Sequence, residues 1–354
     1  MTRIDTVRLG GRAVDGHGPE VGVQGFGAMG ISEFYGDTDE AAARDTLDAA
    51  LEAGVTLIDT ADIYGSGANE EFLAPFLAAH RDEVTLATKF AIERRADDPS
   101  YRAVRNDPAY IKRAAEDSLR RLGVETIDLY YMHRRDPEIP FAESVGAMAE
   151  LVQEGKVRFL GLSEVTGPEL REAHAVHPIA ALQSEWSLFS RDVERSAVGA
   201  AAELGVTFVP YSPLGRGFLT GAFADAGKEL SGGDFRRHQP RFTGENAERN
   251  AALLDPVRKI AAAHGATPAQ IALAWVQQRS AVHGLAVVPI PGTRKRSRLE
   301  ENAAATRIVL TPAELAELEP IAGLVAGDRY PDMSLTSLAR EAEGESGTPA
   351  PGAP

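Results

Sequence analysis

Asp59, Tyr64, Lys89 and His133 are residues suited to proton chemistry, and each falls just past an apolar run. Gly54 to Gly65 reads G-V-T-L-I-D-T-A-D-I-Y-G. Val55, Leu57 and Ile58 have the character of a short buried parallel strand, which ends in Asp59, with Tyr64 on the loop beyond. V-T-L-A-T-K ends in Lys89, and I-D-L-Y-Y-M-H ends in His133. Singly, each has a plain structural reading. The lysine would snorkel to water, the aspartate would cap a turn and the histidine would be a satisfied core residue. Together they fall where parallel α/β folds place their chemistry, at the carboxyl ends of strands.

The four side chains suit one reaction. A tyrosine hydroxyl has an ordinary pKa of about 10. A lysine cation roughly 4 Å away, at an effective dielectric of ~20, offers up to about 4 kcal/mol toward the phenolate, partly cancelled by desolvation. That makes the phenol a usable general acid. Asp59 would keep Lys89 charged and oriented, and His133 would hydrogen-bond a carbonyl oxygen. An acid of this kind protonates a developing alkoxide, so its natural partner is a hydride donor. A second chemistry stays open: Lys89 as a Schiff-base nucleophile, with Asp59 and Tyr64 moving protons.

Strands and helices alternate so as to position these groups. Strand ends fall near residues 27, 59, 89, 133, 163, 183, 211 and 290, separated by enough chain for a crossover helix each. The pattern predicts an α/β fold, a (β/α)8 TIM barrel with an N-terminal β-hairpin and a long loop after strand seven. The hairpin precedes a first core strand over Val21 to Gly27. Asp107 and Pro108 open a helix as cap and first-turn proline, and Gly123 ends it. The loop from Pro213 to about Asn250 should hang over the active mouth. Residues 1–332 read as the barrel. Residues 333–354 read as a disordered tail, its end EAEGESGTPAPGAP being polar and rich in Gly and Pro.

Composition narrows the function classes. The chain has 354 residues, 44% hydrophobic, with a net charge of −15. That acidity argues against nucleic-acid and anionic-membrane partners and favours a small-molecule enzyme. With no cysteine, disulfides, thiolate catalysis and Cys-zinc sites are excluded. No apolar stretch approaches the ~18 residues of a membrane span, and Met1 to Asp5 begins no signal-peptide pattern. The expectation is a soluble cytoplasmic protein with no metal.

The T-R-K-R-S-R run, Thr293 to Arg298, is basic in an acidic chain. Its plain reading is a solvated helix face. Its sharper reading is a phosphate site at a helix start after strand eight.

With these motifs in place, the chain resembles the aldo-keto reductase superfamily. The likeness rests on G-V-T-L-I-D-T-A-D-I-Y-G, the Lys89 strand and the M-H strand end. It continues in E-G-K-V-R-F-L-G-L-S (Glu154 to Ser163), Y-S-P-L-G-R-G (Tyr211 to Gly217) and P-I-P-G-T-R (Pro289 to Arg294), and covers Val21 to Ile321. It implies a barrel reductase that passes hydride from NADPH to an aldehyde or ketone. Tyr64 would be the proton donor, Lys89 and Asp59 its tuners, and His133 the orienter of a small carbonyl substrate. By the same resemblance Ser163 and Gln183 hold the nicotinamide carboxamide and Trp186 stacks on the nicotinamide face. Gly27 and Met29 lie near the nicotinamide ribose. Tyr211, Ser212, Pro213, Leu214, Gly215, Arg216 and Gly217 contact the cofactor, and the loop from Leu214 to Arg241 folds over the pyrophosphate. Ile290 and Gly292 lead to Thr293, Arg294 and Arg298 on the 2′-phosphate, with Glu301 and Asn302 on the adenine. Two arginines favour NADPH over NADH. Glu164 departs from the asparagine common beside the serine, and with Trp186 it resembles the pyridoxal-reductase-like branch. The superfamily also contains regulatory subunits, so an NADPH-binding redox-sensing module is an alternative.

Three signals weigh less. Gly25-Phe26-Gly27-Ala28-Met29-Gly30 fits G-x-G-x-x-G, but Ile31 to Gly36 reads as a loop and a Rossmann unit needs a helix there. His174 and His177 lack a third metal ligand. Phe235-Arg236-Arg237-His238 suits a surface loop and a ligand contact equally.

Overall fold

The computed structural model describes residues 3–32, 39–94, 97–98, 101–230 and 233–346. Its strands are β1 (Thr6–Arg8), β2 (Glu20–Gly22), β3 (Phe26–Gly27), β4 (Leu57–Asp59), β5 (Thr85–Phe90), β6 (Ile92–Glu93) and β7 (Ala103–Val104). They continue with β8 (Ile127–Met132), β9 (Val157–Ser163), β10 (Ile179–Glu185) and β11 (Thr207–Tyr211). Seven of them form one parallel sheet in the order β11-β10-β9-β8-β5-β4-β3. Helices cross between consecutive strands, so the sheet curls into an α/β TIM barrel.

The eighth side is the stretch 286–291. Val288 N donates to Phe208 O at 2.9 Å and Ile290 N to Pro210 O at 3.0 Å, while on the other side Gly25 N donates to Pro289 O at 2.9 Å. The expected eighth strand is thus present in place but irregular. Pro289 and Pro291 fall at the alternate positions that would donate toward β3, and proline has no N–H to give.

Side-chain alternation divides inside from outside. Leu57, Ala87, Leu129, Tyr131, Ala181, Val209, Val288 and Ile290 fill the barrel interior in one cluster. Gly161 makes room for one of them: a Cβ there would lie 2.4 Å from the Tyr131 ring. The β1–β2 hairpin pairs Thr6 with Gly22, and its Leu9 and Val21 join the same interior cluster, closing the base. The stretch expected as a first core strand is therefore divided. Glu20–Gly22 belongs to the hairpin and only Phe26–Gly27 to the barrel.

Helix starts follow their caps. Asp39 accepts from the amides of Ala41 and Ala42 ahead of Glu40–Glu52, and Asp107 from Tyr110 N at 3.0 Å ahead of Pro108–Leu122. Thr166 with Glu169 and Thr267 with Gln270 form reciprocal caps. Met29–Ser32 forms one helical turn that begins within the glycine motif and takes in Ile31 and Ser32, where a loop was expected; the remainder of that stretch, Glu33 to Gly36, lies outside the described residues. The long loop after β11 is packed, since Phe218 stacks on Phe242 at 5.4 Å and meets Phe223 and Phe189.

The segment expected as tail differs from that expectation over 333–346. Ser337–Ser346 is helical, and Thr336, Ser337 and Arg329 are buried. The reason is electrostatic: Arg329 and Arg340 reach back to acids on the barrel rim. Residues 347–354 lie outside the described residues. No described helix is long and apolar enough to cross a membrane.

Candidate active site

Asp59 and Lys89 end neighbouring strands with inward parity, so both side chains rise through the barrel to its carboxyl mouth. Lys89 Nζ donates to Asp59 Oδ1, and to Thr60 O at 2.7 Å. Asp59 Oδ2 accepts from Gln183 Nε2 at 2.8 Å. Burial pushes the Asp59 carboxyl up and the Lys89 ammonium down from their ordinary values, each opposed by the other's charge.

Tyr64 follows β4 in a tight turn, its ring edge-on to that of His133 with centroids 6.1 Å apart. Lys89 Nζ lies 5.2 Å from the Tyr64 ring centre. Burial, then Arg134 and Lys89, push the His133 imidazole well below its usual range, so it is neutral near pH 7. The structure thus brings together all four residues singled out in the sequence. Lys89 is fully buried behind the others and does not border the adjoining cavity.

That cavity measures about 600 Å³. Asp59, Tyr64, His133 and Gln183 line it, and so do Thr293, Arg294, Arg298, Glu301 and Asn302, in and just ahead of the helix Arg296–Ala304. Gly27 and Met29 border it too, as do Tyr211, Ser212, Pro213, Leu214, Arg216, Gly217, Ile290 and Gly292. A Cβ on Gly292 would lie 2.5 Å from Gly27 O, so two backbones meet there with no room for a side chain. The basic run is divided. Arg294, Lys295 and Arg298 face the cavity, whereas Arg296 pairs outward with Asp45, Glu52 and Glu300.

Ser163, Gly215 and Trp186 do not border the cavity. Ser163 is buried and accepts from Arg134 Nη1 at 3.3 Å. Trp186 corrects the expectation of a stacking ring. Its indole packs on Phe208 and His283 and donates to Glu194 at 2.9 Å. The strand period explains this: Gln183 and Glu185 face inward, so Trp186 continues the outward set. Of the aromatic residues named in the sequence as cofactor contacts, Tyr211 is the one that borders the cavity.

Glu164 is equally specific. Its backbone sits at φ 52°, and its carboxylate accepts from Arg329 at 3.1 and 3.2 Å and from the Tyr211 hydroxyl at 2.9 Å. Burial alone would raise this carboxyl, but Arg329 and Arg134 hold it down to about 2. The acid therefore clasps the C-terminal segment to the rim.

Sequence reading missed Arg134, Lys295 and Tyr330 as cavity residues. Arg134 adjoins His133 and Lys295 lies inside the basic run, so proximity was the available signal. Tyr330, whose hydroxyl lies 3.2 Å from that of Tyr211, had none. Of the evenly weighed cluster, Phe235 and Arg236 border the cavity, while Arg237 turns back to Leu230 O at 2.6 Å. No group of metal-ligating side chains occurs among the described residues.

The cavity fits an anionic cofactor: its lining joins the proton-transfer groups to the close Gly27–Gly292 approach and to the cations of Arg294, Lys295 and Arg298. Comparison with known proteins agrees in kind. Residues 25–322 match the model of the Aldo/keto reductase family. A glycerol dehydrogenase of Gluconobacter oxydans is 30% identical, with a TM-score of 0.80 over 93% of this chain and 98% of that one. An aldo-keto reductase of Bacillus halodurans, in its holo form, is 25% identical, with a TM-score of 0.73 over 93% and 100%. An aldo/keto reductase of Klebsiella pneumoniae in complex with NADP and acetate is 28% identical, with a TM-score of 0.67 over 92% and 99%.

Proposed function

This chain belongs to the aldo/keto reductase family, and on that footing we propose that it is an NADPH-dependent reductase of aldehydes or ketones. The observation that carries the reading is the cluster of Asp59, Lys89, Tyr64 and His133 at a cavity whose lining also takes in Arg294, Lys295 and Arg298. NADPH, whose 2′-phosphate would meet Thr293, Arg294 and Arg298, supplies the hydride when bound. Tyr64 gives its hydroxyl proton to the carbonyl oxygen as negative charge develops there. Lys89 favours the phenolate left behind, and Asp59 with Thr60 O fixes the ammonium in place. His133, neutral, orients the carbonyl without competing as an acid. Gln183, tied to Asp59, borders the cavity where a carboxamide would lie.

The Schiff-base chemistry has less support, because Lys89 is fully buried and its ammonium already donates to Asp59 and Thr60. The Klebsiella pneumoniae neighbour's complex with NADP supports the choice of cofactor.

The test is oxidation of NADPH, followed by its absorbance, with a panel of reactive aldehydes and ketones and with NADH in parallel. Turnover with NADPH, lost by orders of magnitude in Tyr64→Phe, supports the reading. Turnover undiminished in that variant, or none with any carbonyl compound despite tight NADPH binding, overturns it.

A further inference from the structure

The rim of this barrel holds several buried cations, and all but one sit in a direct ion pair with an acid. Lys89 pairs with Asp59, Arg329 with Glu164 and Asp192, and Arg216 with Glu185 at 3.5 Å. Arg134 is the exception among the described residues. It is 9% exposed and borders the cavity directly beside His133. Its Nη1 donates to His133 O at 2.7 Å and to Ser163 Oγ at 3.3 Å, both uncharged acceptors. Nε and Nη2 keep their N–H groups without a protein acceptor among the described residues. Glu164, the acid whose charge acts on Arg134, spends its oxygens on both Arg329 nitrogens, the Tyr211 hydroxyl and Ser337 N.

Glu164 offsets the Arg134 charge at longer range, but a buried guanidinium with no direct ion pair and unused N–H groups is still costly to keep. A strut between His133 O and Ser163 Oγ needs no charge, so bridging alone does not account for an arginine here. A carboxylate brought in by a ligand does account for it, because the guanidinium fork takes carboxylates through paired N–H bonds. We propose that Arg134 is the specificity-determining cation of this site. The substrate it selects is an aldehyde or ketone that also carries a carboxylate, held by Arg134 while its carbonyl lies between Tyr64 and His133. This deepens, and rests on, the reductase reading above. Arg134 itself takes no proton and no hydride; its role is binding.

The test uses a series of aldehyde acids of increasing chain length, each beside its methyl ester, with NADPH and the full-length protein. Wild type is expected to favour at least one acid over its ester by about tenfold or more in kcat/KM, the worth of one charged hydrogen bond. In Arg134→Met and Arg134→Gln that ratio falls toward one, chiefly through a higher KM for the acid, while Arg134→Lys keeps part of it. The glutamine variant retains a donor for the neighbouring oxygens and decides the matter if the methionine variant does not fold. A wild type with no preference, or variants that keep it, overturns the proposal. If no carbonyl compound is reduced, the reductase reading fails separately. Arg134 is then judged by calorimetry with non-reducible carboxylates against their amides. Carboxylate binding lost in the glutamine variant upholds the assignment, and equal binding of acid and amide overturns it.

Discussion

At the carboxyl rim of the barrel Lys89, Asp59, Glu164 and Arg329 are nearly inaccessible to water, whereas at the base Leu9 and Val21 seal the same barrel with hydrocarbon. The rim also concentrates backbone in the left-handed region: Ala91, Glu164 and Ser212 each follow directly on a strand with positive φ. Such conformations cost of order 1–3 kcal/mol each and persist only where the surroundings hold them. At the base Asp128 is buried as well, but its cations lie outward: Arg158 is 60% exposed and Arg81 26%. The difference separates two tasks. Interior hydrocarbon supplies cohesion at one end, and preorganised charge, held against its desolvation cost, supplies chemistry at the other.

Breaking that division should expose it, and the rim chemistry gives the largest effect. Tyr64→Phe is expected to lower kcat by about 10²–10⁴-fold while leaving the melting temperature almost unchanged, since the ring is kept. NADPH oxidation and thermal melts on the same samples check it. Leu9→Ala should do the reverse. Truncating this fully buried plug costs roughly 2–5 kcal/mol of stability, read by urea denaturation, with kcat retained.

The rim also contributes to stability, with a definite pH signature. The Glu164 carboxyl, ordinarily near 4.5, is held at about 2 in the folded chain. Its contribution is therefore complete above the ordinary value and is lost as pH falls from 4.5 toward 2, a change on the order of 3 kcal/mol. Denaturation midpoints taken across that window should fall in wild type more steeply than in Glu164→Gln, which should already be weaker at neutral pH. Equal slopes would separate Glu164 from the acid response. Arg298→Ala should raise KM for NADPH by about tenfold and leave KM for NADH little changed, as the loss of one charge-assisted contact to phosphate requires. The smallest effect belongs to the base: Arg158→Ala should cost less than about 1 kcal/mol, because Arg158 is 60% exposed and the buried Asp128 keeps Arg81 and Leu86 N as partners.

Much of this was legible in the chain. The apolar runs ending in Asp59, Lys89 and His133 located three neighbouring strands, and capping pairs such as Asp107 with Pro108 fixed helix starts. These signals are local: strand period, cap chemistry and glycine stops act within a few residues. The division of Val21 to Gly27 was not legible, because pairing with Thr6 to Arg8 decides which half joins the hairpin. Trp186 was misplaced although its parity relative to Gln183 was readable, since the resemblance to a stacking aromatic outweighed the period of two.

The sequence by itself determined the alternation of strands and helices, the inward parity of Asp59 and Lys89, and the basic run that reaches the cavity at Arg294 and Arg298. Only the tertiary structure decided that Glu164 clasps Arg329, that a polar C-terminal segment is drawn onto the rim, and that Arg134 makes its contacts to uncharged oxygens and not in a direct ion pair. The physical reason is that burial and charge pairing join residues far apart in the chain. The energy of a buried charge depends on neighbours that no local pattern records.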